Sequence, residues 1–160
     1  MKQRLIGIDP GCSGAVVVLA PDGTVADSLL MPTLKTGKSS RVNGAALAYF
    51  LKKHGQYDLS GTHAYLEQVH AMPKQGVTSV FTFGHAAGVV EGLLQGIGIA
   101  YTLVPPQTWK KRALLIGQDK DAARSRAIQL WPTWRDLDLK GKGQALADAA
   151  LIARYGSESA

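Results

Sequence analysis

A chain of 160 residues, 46% hydrophobic and 19% charged, has the length of one domain with its own core, so a single domain over residues 1–160 with no linker is expected. One cysteine, Cys12, excludes an internal disulfide and suits a reducing, cytoplasmic setting; no apolar run approaches the roughly 18 residues of a membrane span and no signal-peptide pattern opens the chain, so neither membrane nor export is expected. Eighteen Lys and Arg against twelve Asp and Glu, a net charge of +6, favour a polyanionic partner.

The first element is an apolar strand, Leu5-Ile6-Gly7-Ile8, which ends in Asp9 and is followed by a turn at Gly11 and Gly14. A strand this apolar belongs in the middle of a sheet, which sets Asp9 at the sheet edge over whatever crevice forms there. Ala15 to Leu19 reads as a second strand, Pro21-Asp22-Gly23 as a hairpin turn and Thr24 to Met31 as a third strand, together an antiparallel meander. Thr33 to Ser40, with Lys35, Gly37 and Lys38, reads as a mobile basic loop. A helix then starts near Asn43, burying Val42, Ala46, Tyr49 and Phe50 on one stripe, and ends at His54-Gly55. Thr62 to Val69 alternates as a strand, with Ala64 and Leu66 on one side and Tyr65 and Glu67 on the other.

Met72-Pro73-Lys74-Gln75-Gly76 interrupts the chain, and a long helix is expected from about Thr78 to Gln95. Gly84, Gly88 and Gly92 recur every fourth residue along it. They make a smooth face for close packing by another helix or the sheet, at a cost in helix propensity. His85 and Glu91 in the same segment argue against a membrane helix. Ile99 to Val104 is the next strand, stopped by Pro105-Pro106. Asp119 to Trp131 is an amphipathic helix with Ala123, Ala127, Leu130 and Trp131 inward and Lys120 and Arg124 outward, and a last helix runs from about Gly143 to Tyr155. Three strands, helix, strand, helix, strand, helix, helix is the order of an α/β mixed sheet with helices on its faces.

Glu67, like Asp9, closes an apolar strand; if the two strands are parallel neighbours, both carboxylates emerge at one edge. Asp148 lies in Ala145-Leu146-Ala147-Asp148-Ala149-Ala150-Leu151, apolar almost all round. A carboxylate in such a helix must be paired, protonated or bound to a cation. Each of the three taken alone is accounted for by an ion pair with a nearby Lys or Arg. Three converging at one edge call for a hard cation with oxygen ligands, Mg²⁺ or Mn²⁺, because no Cys/His set at zinc spacing exists. His70 lies close enough in sequence to Glu67 to reach the same place, or is simply solvated.

Four segments in order, Ile6-Gly7-Ile8-Asp9-Pro10-Gly11, Leu66-Glu67-Gln68, Val104-Pro105-Pro106-Gln107-Thr108-Trp109-Lys110-Lys111 and Ala147-Asp148-Ala149-Ala150-Leu151, resemble the RuvC family of Holliday junction resolvases, particularly its phage-type members. The resemblance implies a ribonuclease H-like fold, a five-stranded mixed sheet whose first three strands are antiparallel, with helices on both faces. It implies a crossover junction endodeoxyribonuclease of DNA recombination and repair, acting as a homodimer in a bacterial or phage-infected cytosol. Asp9, Glu67 and Asp148 match the family's metal-binding carboxylates, for two Mg²⁺ or Mn²⁺ ions per site bridged by Asp9. The family's further ligand, three residues before the last, is Ala145 here, which leaves the amide oxygen of Gln144, or a water, as substitute. Lys110, Lys111 and Lys120 are candidates for neutralising charge at the scissile phosphate, or equally for positioning it.

The segment Met72 to Phe83, with Lys74, Gln75, Phe81 and Phe83, corresponds in position to the family's DNA-contacting loop. An aromatic there can stack on an unpaired base, or belong to the core of the long helix, the expectation for at least one of Phe81 and Phe83. Lys35, Lys38, Arg41, Arg112, Arg124 and Lys142 sit in basic clusters that can line a DNA surface. Two other readings stay open: a junction-binding module of the same fold without catalysis, and a ribonuclease H-like nuclease for another branched or hybrid substrate.

Overall fold

The computed structural model describes residues 3–55 and 60–156. Strand β1 (Arg4–Asp9) is the centre of a five-stranded sheet, with β2 (Ala15–Leu19) and β3 (Val25–Leu30) on one side and β6 (Thr62–Glu67) and β7 (Ala100–Val104) on the other, in the order β3-β2-β1-β6-β7. The β1/β2 and β2/β3 pairs are antiparallel and the β1/β6 and β6/β7 pairs parallel. This is the mixed ribonuclease H-like sheet expected from the sequence, with helices on both faces.

The side-chain alternation of the strands builds two cores. Ile6, Ile8, Val16, Val18, Ala64 and Leu66 point to one face, where Leu47, Phe50 and Leu51 of α1 (Gly44–Gly55) and Ala86, Val90 and Leu94 of α2 (Val77–Ile97) cover them. Ala15, Val17, Leu19 and Tyr65 point the other way, against α3 (Pro106–Arg112), α4 (Ala122–Leu130) and α5 (Lys140–Tyr155). Helix α5 lies directly on β1 because Gly7 has no side chain. A Cβ there would stand 1.9 Å from the Ala149 carbonyl oxygen.

Several expectations need correction. The segment after β3 is no mobile loop: β4 (Thr33–Thr36) and β5 (Ser39–Val42) form a hairpin, turned at Gly37 with φ 63°. The buried stripe of α1 is Leu47, Phe50 and Leu51, while Tyr49 is 79% exposed. Helix α3 was hidden by its two prolines, but Pro106 stands at the first helical turn, where a missing N–H costs nothing. Gly11 and Gly14 do not adopt positive φ. Gly14 is required instead by space, since a Cβ on it would lie 2.2 Å from the Asp9 carbonyl oxygen.

Helix α2 departs furthest. By length and composition it is long and apolar enough to cross a membrane, against the expectation of no such segment, and only 17% of its apolar window is buried. Ala86, Val90 and Leu94 form its buried stripe. Gly84, Gly88, Gly92 and Gly96 are two residues out of phase with that stripe, and a Cβ on any of them meets nothing within 4 Å. The glycine face packs on no other part of the described chain.

Candidate active site

The parallel register pairs Ile8 with Leu66, so Asp9 and Glu67, the next residue on each strand, leave the sheet at the same edge. Asp148 reaches that edge from α5, one residue before the Ala149 carbonyl that sits on Gly7. All three carboxyl groups are pushed up in pKa. For Asp9 the cause is burial, opposed by the Gly11 amide and Lys110. For Glu67 it is burial and then the charge of Asp9. Asp148 is pushed up to about 7, by burial first and then by the charges of Asp9 and Glu67. Lys110 acts in the opposite sense on each of them.

Each carboxylate is held through one oxygen. The Gly11 amide donates to Asp9 Oδ1 over 3.3 Å, the Trp109 indole N–H to Glu67 Oε1 over 3.0 Å, and the Gln144 amide N–H to Asp148 Oδ1 over 3.1 Å. Their second oxygens receive no hydrogen bond from the described residues. A cavity of about 350 Å³ opens beside Asp148 and Gln144, walled by Trp109, Lys110, Leu115 and Lys120. Lys111, the next residue on α3, is exposed and does not line it.

The donor set is all oxygen, desolvated and mutually repulsive, which suits a hard divalent cation. Among the described residues no three His, Cys, Asp or Glu side chains are drawn close enough to hold a metal ion as they stand. The chemistry of the set fits a cation, although the three side chains are not placed to share one. Gln144, expected as a cation ligand through its oxygen, donates its amide N–H to Asp148 and so orients that carboxylate. Ala145, at the family's further ligand position, packs against the core. His70 is exposed.

The expected DNA contacts divide. Lys35 and Lys38 stand exposed on the β4–β5 hairpin, and Lys74 and Lys142 are exposed as well. Arg41 and Phe81 line a recess of about 210 Å³ between that hairpin and α2, with Cys12 and His85. Gln75 is partly used in its own turn, its side-chain oxygen accepting the Met72 amide. Phe81 and Phe83 are 66% and 41% exposed, so neither is a core residue as expected of one of them. Phe83 lies over the β1 turn, its ring 3.3 Å from where a Gly11 Cβ would be.

Arg112 and Arg124, expected in a DNA-lining surface, both make hydrogen bonds within the fold. Arg112 donates to the carbonyls of Tyr155 and Gly156 at the end of α5. Arg124 makes a two-pronged pair with Asp121 at 2.8 and 3.1 Å and donates to the Leu137 carbonyl. Asp121 is thereby engaged in that pair, which also holds its carboxyl below the usual range. Sequence reasoning missed Trp109 as the donor to Glu67. The one available hint was an aromatic N–H within the motif that carries Lys110.

Comparison with solved structures agrees with this arrangement of sheet and helices. The RuvC of T. thermophilus in complex with Holliday junction substrate superposes with a TM-score of 0.63 at 17% sequence identity, over 94% of this chain and 90% of that one. A second Thermus thermophilus RuvC structure gives a TM-score of 0.56 at 17% identity, over 94% and 91%. The fold is RuvC-like. No protein-family model and no curated protein matches the sequence. The RuvC-like sheet places Asp9 and Glu67 at the carboxyl ends of adjacent parallel strands, where open α/β sheets form their binding crevice.

Proposed function

We propose that this chain is a structure-selective endonuclease that resolves four-way DNA junctions by divalent-metal-dependent phosphodiester hydrolysis. The observation that carries the reading is the placement of Asp9, Glu67 and Asp148 at one edge of a RuvC-like sheet, where Asp9 raises the Glu67 carboxyl, both raise that of Asp148, and Lys110 opposes the shift in all three. The solved neighbour bound to Holliday junction DNA supports the substrate class.

Asp9, Glu67 and Asp148 would hold Mg²⁺ or Mn²⁺ through the oxygens left without hydrogen bonds. Bound there, the metal supplies an activated water and stabilises the departing 3′ oxygen. The protein's own part is geometric and electrostatic. Gly11, Trp109 and Gln144 fix the carboxylate orientations, and Lys110 offsets the negative charge that a phosphodiester brings to the crevice. Lys120, across the cavity, is the second cation facing the phosphate. Burial and the charges of Asp9 and Glu67 push the Asp148 carboxyl up to about 7, so a bound cation would favour its ionised form.

A four-way junction is close to two-fold symmetric and is cut on two strands, so one site per chain calls for a C₂ homodimer. The exposed glycine face of α2 supports this assembly, since small residues let two helices approach closely. The cytoplasm is the proposed compartment, on the strength of the single half-buried cysteine.

A junction-binding module without catalysis is the second reading, favoured by the absence of a closed metal cluster among the described residues. Incubation of a synthetic four-way junction with Mg²⁺ or Mn²⁺ separates the two. Paired symmetric nicks support the nuclease, and tight binding without cleavage under either metal supports the module.

A further inference from the structure

The first half of α2 and the β4–β5 hairpin meet beside the β1–β2 turn and leave the recess of about 210 Å³ between them. Ser40 and Arg41 of β5 and Thr78, Phe81, Thr82 and His85 of α2 line it, with Cys12 from the turn. The Cys12 thiol donates to the Ser40 carbonyl over 3.6 Å and so joins the hairpin to the turn. Asp9 lies three residues before Cys12, and the Phe83 ring stands over Gly11 between them. The recess therefore shares its turn with the first of the three carboxylates.

The lining suits one planar ring. The Phe81 and His85 rings have centroids 6.5 Å apart and planes inclined by 35°, close to the two spacings of roughly 3.4 Å that a base stacked between them takes up. The volume is below the roughly 300–1,000 Å³ of a site for a drug-sized ligand, which fits a single base and no larger group. Among the described residues the side chains of Arg41, Thr78, Thr82 and His85 make no hydrogen bond or ion pair, so their polar atoms are available to a ligand. Residues 31–50 and 68–90, which supply both walls, contain Lys35, Lys38, Arg41 and Lys74 and no Asp or Glu. Cations around an aromatic slot make a nucleic-acid site, in which basic side chains follow the backbone and rings take the bases. Arg41 offers donors only, and a guanidinium matches the adjacent O6 and N7 acceptors of guanine. The α2 residues used here precede Gly88, Gly92 and Gly96, so base capture and helix pairing draw on different stretches of the helix.

We propose that this recess takes one unpaired guanine of the branched substrate, stacked on Phe81 and His85 with its O6 and N7 facing Arg41, and that Arg41 thereby sets the base preference of the nuclease. This rests on the junction-nuclease reading. The test is anisotropy titration, without divalent metal, of labelled four-way junctions that carry guanine or 7-deazaguanine at each crossover position in turn. The modified base keeps its ring for stacking and lacks the N7 acceptor. Wild type is expected to bind the guanine junction about tenfold more tightly than its 7-deazaguanine counterpart at one of these positions. Arg41→Ala is expected to bind the two alike, and Phe81→Ala to lose about tenfold in affinity for both. Equal affinity of wild type for the two bases at every position overturns the inference, and so does discrimination that survives in Arg41→Ala. Wild-type protein that binds no junction overturns the nuclease reading, and this inference with it; junction binding without discrimination overturns the inference alone.

Discussion

The indole of Trp109 donates its N–H to Oε1 of Glu67 over 3.0 Å and ties α3 to the end of β6. Trp109 is 1% exposed, so the ring has little freedom. Lys110 Nζ stands 5.4 Å from the centre of that ring. One buried side chain thus orients a carboxylate and seats the lysine that faces it.

Removing the N–H while keeping a ring isolates the orienting role. Trp109→Phe is expected to lower Mn²⁺ affinity and junction cleavage together by roughly 10–100-fold, the usual effect of losing the partner of a metal-ligating group. Mn²⁺ titration followed by electron paramagnetic resonance checks it. Affinity equal to wild type would show that Glu67 needs no such partner.

The proton on Asp148 sets a pH dependence. Its folded pKa, about 7, lies above the ordinary 3.8, so the folded state binds this proton more tightly than the unfolded chain. The stabilisation is complete below the ordinary value and is lost as pH rises through the folded one. In metal-free protein, the stability advantage of Asp148→Asn over wild type should therefore grow as pH rises from 5 towards 7, by at most about 1.4 kcal/mol for each pH step of one, and level off above. Mg²⁺ should narrow it in wild type at the upper end. Urea unfolding across that range measures both, and a flat difference contradicts the coupling.

The contact of α5 with β1 is the mechanical basis of the site. Gly7→Ala places a Cβ against the Ala149 carbonyl oxygen and the Ala153 amide nitrogen, at 1.9 and 2.5 Å. A cost of about 3 kcal/mol is expected from this overpacking, with loss of cleavage as Asp148 moves away from Asp9. Denaturant unfolding gives the first and the junction assay the second.

Two neighbouring basic residues should part company. Arg112→Ala removes donors from the Tyr155 and Gly156 carbonyls and is expected to cost about 1–3 kcal/mol of stability with the salt dependence of DNA binding unchanged. Lys111→Ala should do the reverse, leaving stability intact and reducing the salt slope of junction binding by about one contact. Paired thermal melts and salt titrations decide it.

These two residues also show where the sequence stops being legible. Asp9, Glu67 and Asp148 could be found because strand alternation and an all-apolar helix make a lone carboxylate conspicuous. The five-stranded sheet with its antiparallel first strands was implied by the family resemblance, since alternation within a strand does not specify which strands are neighbours. Arg112 looks like any surface cation, since its carbonyl partners lie more than 40 positions away and nothing local announces them. The β4–β5 hairpin was hidden by polarity, its exposed strands carrying no apolar face to count. Helix α3 was too short for a helical period to register. The face of α2 expected to pack is exposed because glycine spacing shows that close approach is possible and does not show whether the partner is in the same chain.

The most direct test of the account is cleavage of a strand-labelled four-way junction in Mg²⁺ by wild type, Asp9→Asn and Asp148→Asn, with binding measured on the same samples. The account predicts paired nicks across the junction by wild type, none on linear duplex, and loss of cleavage with retained binding in both variants. Undiminished cleavage by either variant would contradict the site, and binding without cleavage by wild type in both Mg²⁺ and Mn²⁺ would contradict the activity.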